Sequence, residues 1–220
     1  MSKDIYSVVV KKPWGEEFCV FRGNNLSIWL LRIAPTQQTS LHCHPKKKTG
    51  LVVLDGIAQV SLLERSFPLT ALAKINLRNL IFHQTKNTSD TEQLYVLEVE
   101  TPDDKMDLVR IGDSYGRTNE AFEPESEWYP HPTLTQWTIR RDRPVSLRSV
   151  SFEVTTLQEI LHRNIKGSVS VVLDAFAFLA KDKIPICECG DVVNSETLQT
   201  LSTQFAPVLS AEMIHICKLS

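Results

Sequence analysis

The chain has 220 residues, 42% of them hydrophobic, and its 24 Lys and Arg set against 26 Asp and Glu leave a formal net charge of -2. That length is enough for one large domain or two small ones with real cores, and the near-neutral balance removes the electrostatic ground for binding nucleic acid, which needs a basic face to displace counterions. No apolar run approaches the roughly 20 residues that span a bilayer, and the opening "MSKDIYSVVVKKPWG" lacks the apolar centre of a secretory signal, so a cytoplasmic protein with small-molecule partners and no membrane contact is expected.

In chain order, short runs rich in Val, Ile and Leu recur between Pro, Gly and Asn: "LSIWLLRIAP", "TGLVVLDGIAQVSLL", "QLYVLEVETP", "SVSVVLDAFAFLA" and "AEMIHICKL". Such runs predict strands, and their regular recurrence predicts a sandwich or barrel. A helical period is clear only in "TTLQEILHRNI", where Leu157, Ile160, Leu161 and Ile165 would share one face. Residues 52–60, "VVLDGIAQV", return from Val171 as "VVLDAFAFL", which predicts an internal repeat. Between the copies, "GRTNEAFEPESEWYPHPTLTQW" has no period and reads as a connector. The five cysteines, Cys19, Cys43, Cys187, Cys189 and Cys217, are odd in number and scattered, so no disulfide framework is expected. Cys187 and Cys189 lie two apart but lack a second pair at ligand spacing, and are taken as strand residues rather than a zinc site.

The chemistry-bearing pattern is "SLHCHPKKKTGLVVLDG". On a strand, residues two apart share a face, so His42 and His44 would project together with Cys43 opposite. His83, in "NLIFHQTKNTSD", follows another apolar stretch, and an antiparallel barrel can bring it against the first pair. Three converging imidazoles make a site for a borderline divalent ion with positions left open. His131, His162 and His215 are read as exposed or hydrogen-bonded and are left out of the site. The run Lys46, Lys47, Lys48 would sit in a loop at the barrel mouth, as a solvated turn or as a clamp for phosphate.

This spacing resembles the cupin family, whose hairpins carry H-x-H-x(3,4)-E-x(6)-G and, further on, a histidine followed by asparagine; His42, His44 and Gly56 fit the first pattern and "HQTKN", His83 to Asn87, the second. "KPWGEE", Lys12 to Glu17, and "DLVRIGDSYGR", Asp107 to Arg117, look like segments flanking the cupin domain of type II mannose-6-phosphate isomerases. The resemblance implies an all-β chain: a cupin (jelly-roll) barrel over residues 1–117, a connector over 118–145, and a degenerate cupin-like unit without ligands over 146–220, together a bicupin. It implies a divalent ion (Zn, Fe, Ni, Mn or Cu) on His42, His44 and His83, a carbohydrate or sugar-phosphate ligand, and a homodimer, unless the duplication occupies the same surface within one chain.

The sequence departs from the family where Thr49, next to Lys48, stands in place of the metal-binding glutamate. Glu98, in "YVLEVET", would supply a carboxylate if it faced inward. For an isomerase, in which the ion polarises a carbonyl while a proton moves between neighbouring carbons, Glu98 or Lys48 are the candidate bases. Lys46, Lys47, Arg110 and Arg117 are the candidate substrate-binding residues. The alternatives are a three-histidine non-haem iron oxygenase, which needs no protein carboxylate, and a non-catalytic sugar-binding or regulatory cupin.

Overall fold

The computed structural model describes residues 4–117, 122–130 and 134–219. Eleven strands precede the expected connector: β1 (Val9–Lys12), β2 (Gly15–Arg22), β3 (Ser27–Ile33), β4 (Leu41–Cys43), β5 (Lys48–Asp55), β6 (Ala58–Leu62), β7 (Ser66–Leu69), β8 (Lys74–Leu77), β9 (His83–Asn87), β10 (Leu94–Thr101) and β11 (Val109–Gly112). After them come β12 (Trp128–Tyr129), α1 (Leu134–Trp137), β13 (Val145–Leu147), β14 (Val150–Thr156), α2 (Leu157–Arg163), β15 (Val169–Val172), β16 (Phe176–Leu179), β17 (Pro185–Glu188), β18 (Val192–Asn194), α3 (Ser195–Gln204), β19 (Ala206–Pro207) and β20 (Glu212–Lys218). No helix among the described residues is long and apolar enough to cross a membrane.

Two facing antiparallel sheets form the first unit, as in a jelly roll. Sheet A runs β12-β1-β2-β3-β10-β5-β8 and sheet B runs β11-β4-β9-β6-β7. The chain crosses from A to B at Asp55–Gly56, where Gly56 adopts φ +92°, a conformation that side chains rarely take. Side chains of sheet A divide by parity: Trp29, Leu31, Leu51, Val53, Leu94 and Val96 fill the space toward sheet B, while Ile28, Leu30, Val52, Leu54, Leu97 and Val99 join a second core on the other face. Burial on both faces is why these strands read as unbroken apolar runs.

What covers the outer face of sheet A is the other half of the chain. Val150, Phe152, Val169, Val171, Val192, Ile214 and Ile216, from sheet C (β13-β14-β20-β15-β18), pack in that same second core. The contact is close: a Cβ on Gly50 would lie 2.5 Å from Val192 Cγ2. The Asn76 side chain donates to the carbonyl of Val192 (2.9 Å) and accepts from its N–H (3.0 Å). Lys48 pairs with Asp191 at 2.7 Å.

The second unit repeats the topology of the first. Sheet C places its strands in the order in which sheet A carries β2-β3-β10-β5-β8, and the three-stranded sheet D, β17-β16-β19, matches β7-β6-β9. The repeated sequences are thus equivalent hairpins, β5-turn-β6 and β15-turn-β16. Where the first unit has β4 between β3 and β5, the second has helix α2 between β14 and β15. The strand that carries the histidine pair is replaced by a helix, so the unit has no place for such a pair.

The expected helix ends at Asn164, which takes a left-handed conformation (φ 47°) and lets the N–H of Asn164 reach the carbonyl of Ile160; Ile165 lies beyond the helix and is half-exposed. A further helix, α3, was not expected. Its N-cap Asn194 accepts from the N–H of Thr197, and its Ser- and Thr-rich sequence presents only Leu198 and the half-buried Leu201 to the third core, too few to show a period. Within the segment read as a connector, β12 extends sheet A beside β1, and Trp137 stacks on Phe18 at 5.6 Å.

Candidate metal centre

His42 and His83 are direct partners across β4 and β9, and His44 follows at the end of β4. The ring centroids are 4.4 Å apart for His42 and His83, 5.0 Å for His42 and His44, and 5.4 Å for His44 and His83. Glu98, on β10 of the opposite sheet, faces them, and one ligand atom from each of the four residues lies within 4.8 Å of the others. All four side chains are buried.

Each imidazole is oriented from behind. His42 Nδ1 donates to the carbonyl of Ser40 (2.8 Å), His44 Nδ1 to that of Asp107 (2.6 Å) and His83 Nδ1 to that of Ile81 (3.0 Å). A carbonyl can only accept, so the proton is on Nδ1 and the lone pair on Nε2. The Nε2 atoms of His44 and His83 are buried without a hydrogen-bond partner among the described residues. Burial keeps the rings neutral: it lowers His42 well below the usual range, with His83 and His44 adding to the effect; it pushes His44 down to about 3 together with the Lys47 ammonium; and it lowers His83. Three orphaned or inward-facing lone pairs beside a carboxylate are a donor set that fits a borderline divalent ion.

A buried charge network surrounds this cluster. Lys105 lies 3.3 Å from each of Glu17, Glu98 and Glu100 and 4.2 Å from the Trp29 ring centroid. Burial raises the Glu98 pKa, but the Lys105 and Lys47 ammonium groups outweigh it and hold the carboxylate ionised. Lys12 bonds Glu123 and lies 3.2 Å from Glu17; burial lowers its pKa, partly offset by those two carboxylates. The histidines line a cavity of about 40 Å³, together with Lys12, Glu17, Glu98, Glu100, Lys105 and Arg110 among others. That is room for two or three waters.

The remaining residues singled out in the sequence are scattered. Lys47 is fully buried and pairs with Glu100 at 2.9 Å. Lys48 faces the other way, to Asp191 of the second unit. Lys46 is exposed and lines neither the cavity nor the recess beside it. Arg110 lines the cavity and lies 3.1 Å from Glu123. Arg117 binds Asp113 and Glu123 and lines an outer recess of about 440 Å³ that shares Lys12 and Phe122 with the cavity. Thr49 is buried, and its Oγ1 has no hydrogen-bond partner among the described residues.

Of the other histidines, His162 is exposed, His215 bonds Ser170 at 3.0 Å, and His131 lies outside the described residues. No cysteine belongs to the cluster. Sequence reasoning missed Glu17, Glu100 and Lys105. The signal for Glu100 was its spacing from Glu98: two acids two residues apart in an apolar strand repeat the logic of the histidine pair.

The family model "Mannose-6-phosphate isomerase C-terminal" matches residues 3–113. A curated relative, the alginate biosynthesis protein AlgA of Pseudomonas aeruginosa, is 27% identical over 113 residues, half of this chain and 23% of that protein. The chain therefore spans about a quarter of that relative's length. Among solved structures, KdgF from Halomonas sp. overlaps with a TM-score of 0.40 at 14% identity, covering 42% of this chain and 84% of that one. A cupin-superfamily sugar phosphate isomerase from Silicibacter pomeroyi overlaps with a TM-score of 0.34 at 18% identity, covering 36% and 51%.

Proposed function

The chain belongs to the mannose-6-phosphate isomerase C-terminal family, and from that membership we propose that it is a metal-binding cupin acting on a phosphorylated sugar. The observation that carries the reading is the cluster of three Nδ1-anchored imidazoles with the Glu98 carboxylate. His42, His44, His83 and Glu98 would hold the ion. When bound, a divalent ion supplies a Lewis acid for a carbonyl oxygen. The protein itself contributes a small, buried, charge-lined chamber in which polar contacts count for more than in bulk water.

The cavity is too small for a whole sugar phosphate, so in this reading only the reacting carbons enter it and the rest lies in the recess outside Phe122. On that recess, Lys11 has no carboxylate partner among the described residues and is the cation left for a phosphate, since Arg117 is already held by Asp113 and Glu123. The face that a lone barrel would offer to a second copy is occupied by sheet C, so the reading does not require a homodimer. A three-histidine oxygenase needs no protein carboxylate, whereas Glu98 lies beside the imidazoles here and favours the isomerase reading.

A binding-only cupin is the second reading, favoured by the pairing of Lys12, Lys47, Lys105 and Arg110 with carboxylates around the cavity. The test is metal analysis of protein purified without added metal or chelator, beside a His42→Ala, His44→Ala double variant, followed by assay of sugar phosphates. About one ion per chain in the parent, none in the variant, and metal-dependent turnover are expected. Equal metal in both proteins would end the metal reading, and metal with binding but no turnover would select the second.

A further inference from the structure

An aldose–ketose interconversion needs a base that touches the substrate carbon, and the candidates Lys48 and Glu98 are otherwise engaged: Lys48 faces Asp191 away from the cavity, and Glu98 stands among the histidines. Three carboxylates line the metal cavity: Glu17, Glu98 and Glu100. Glu100 is sealed, with Oε1 held by Lys47 and Lys105, Oε2 approached by Ser27 at 3.5 Å, and no exposure. Glu17 differs from both. It lies outside the four-residue cluster, and Lys12 and Lys105 approach the same oxygen, Oε1, at 3.2 and 3.3 Å. Oε1 is buried and makes no hydrogen bond among the described residues, whereas Oε2 has no partner there and is not fully enclosed.

Strand geometry explains the placement. Glu16 and Glu17 are neighbours on β2 and must point to opposite faces. Glu16 turns outward to Tyr129 and Arg32, whereas Glu17 turns inward with its register partner Leu31, another residue of the cavity wall. The two ammonium groups lie on the side of Oε1, at ion-pair distance and without a hydrogen bond among the described residues, which leaves Oε2 as the oxygen that no cation faces.

We propose that Glu17 is the catalytic base of the reaction put forward above, on which this assignment rests. Glu17 Oε2 takes the proton from the carbon next to the carbonyl, and the electrons of that C–H bond form the enediolate carbon–carbon bond while the carbonyl pair moves to oxygen. The hydroxyl proton of the neighbouring carbon passes to the former carbonyl oxygen, and Glu17 returns its proton to the former carbonyl carbon. One carbon is oxidised as its neighbour is reduced, so no external oxidant is consumed.

The test compares the parent, Glu17→Gln and Glu17→Asp, each loaded with the same metal, with mannose 6-phosphate and fructose 6-phosphate as probes. Metal content, probe affinity, turnover and deuterium uptake from heavy water into the sugar are measured. The Gln variant is expected to keep the metal stoichiometry and probe affinity while losing about 10²–10⁴-fold in both turnover and exchange; the Asp variant should fall between. Turnover within tenfold of the parent in the Gln variant, or loss of its metal, would overturn the assignment while leaving the isomerase reading in place. A metal-loaded parent that neither converts nor exchanges either probe would overturn both.

Discussion

Lys47 is the residue for which sequence and structure give opposite expectations, so replacing it with Met is the sharpest single perturbation. Methionine keeps much of the stem volume and removes the ammonium. In the fold, Nζ lies 2.9 Å from Glu100 Oε1, with the side chains 0% and 1% exposed. Removing one partner of a buried ion pair costs about 3–5 kcal/mol, because the other charge is left desolvated. Glu100 keeps Lys105 at 3.3 Å, which places the loss near the lower end, about 3 kcal/mol. For a chain of this size that is a fall in Tm of about 6–12 °C. Urea denaturation and thermal melts of the parent, Lys47→Met, Glu100→Gln and the double variant measure it. The double variant should lose less than the sum of the singles, since neither charge is then stranded. A loss below about 1 kcal/mol, accompanied by weaker sugar-phosphate binding, would refute the buried-pair argument and return Lys47 to the phosphate clamp that the lysine run suggests.

Glu98→Gln removes the carboxylate beside the imidazoles; calorimetric titration with Zn²⁺ should show affinity reduced by at least the ~10–100-fold that loss of an outer partner alone brings, and unchanged affinity would mean that the carboxylate serves only Lys105. In the metal-free protein the folded pKa values of His42, His44 and His83 lie below their unfolded value. The unfolded chain then binds more protons below about pH 6.5, so the contribution of these neutral rings is complete above that pH and is lost as pH falls through their lowered folded values, which for His44 means about 1.4 kcal/mol per pH unit on the way down to about 3. A flat urea midpoint from pH 7 to pH 5 would contradict this. Gly50→Ala places a methyl 2.5 Å from Val192 Cγ2, and denaturation should show about 1–3 kcal/mol of overpacking, relieved by Val192→Ala in the double variant; no relief would mean that the two units do not meet there.

The histidine pair was legible because its geometry is local: the two-residue period of a strand puts His42 and His44 on one face wherever that strand lies, and Gly56 marks the turn that only a flexible backbone makes. The repeated "VVLD" hairpins were legible for the same reason. Glu98 was not. Its strand, "LYVLEVET", is buried on both faces, so the alternation that would distinguish inward from outward is absent, and an acid in such a run can point either way. Only the packing of sheet C against the outer face of sheet A turned that parity into a direction, sending Glu98 and Glu100 to the cavity. The same packing separated three consecutive lysines, leaving Lys46 in solvent, Lys47 in the barrel and Lys48 on the second unit. Local covalent geometry decides which residues travel together; burial of apolar surface between distant strands decides where they face, and that depends on partners that no short stretch of sequence contains.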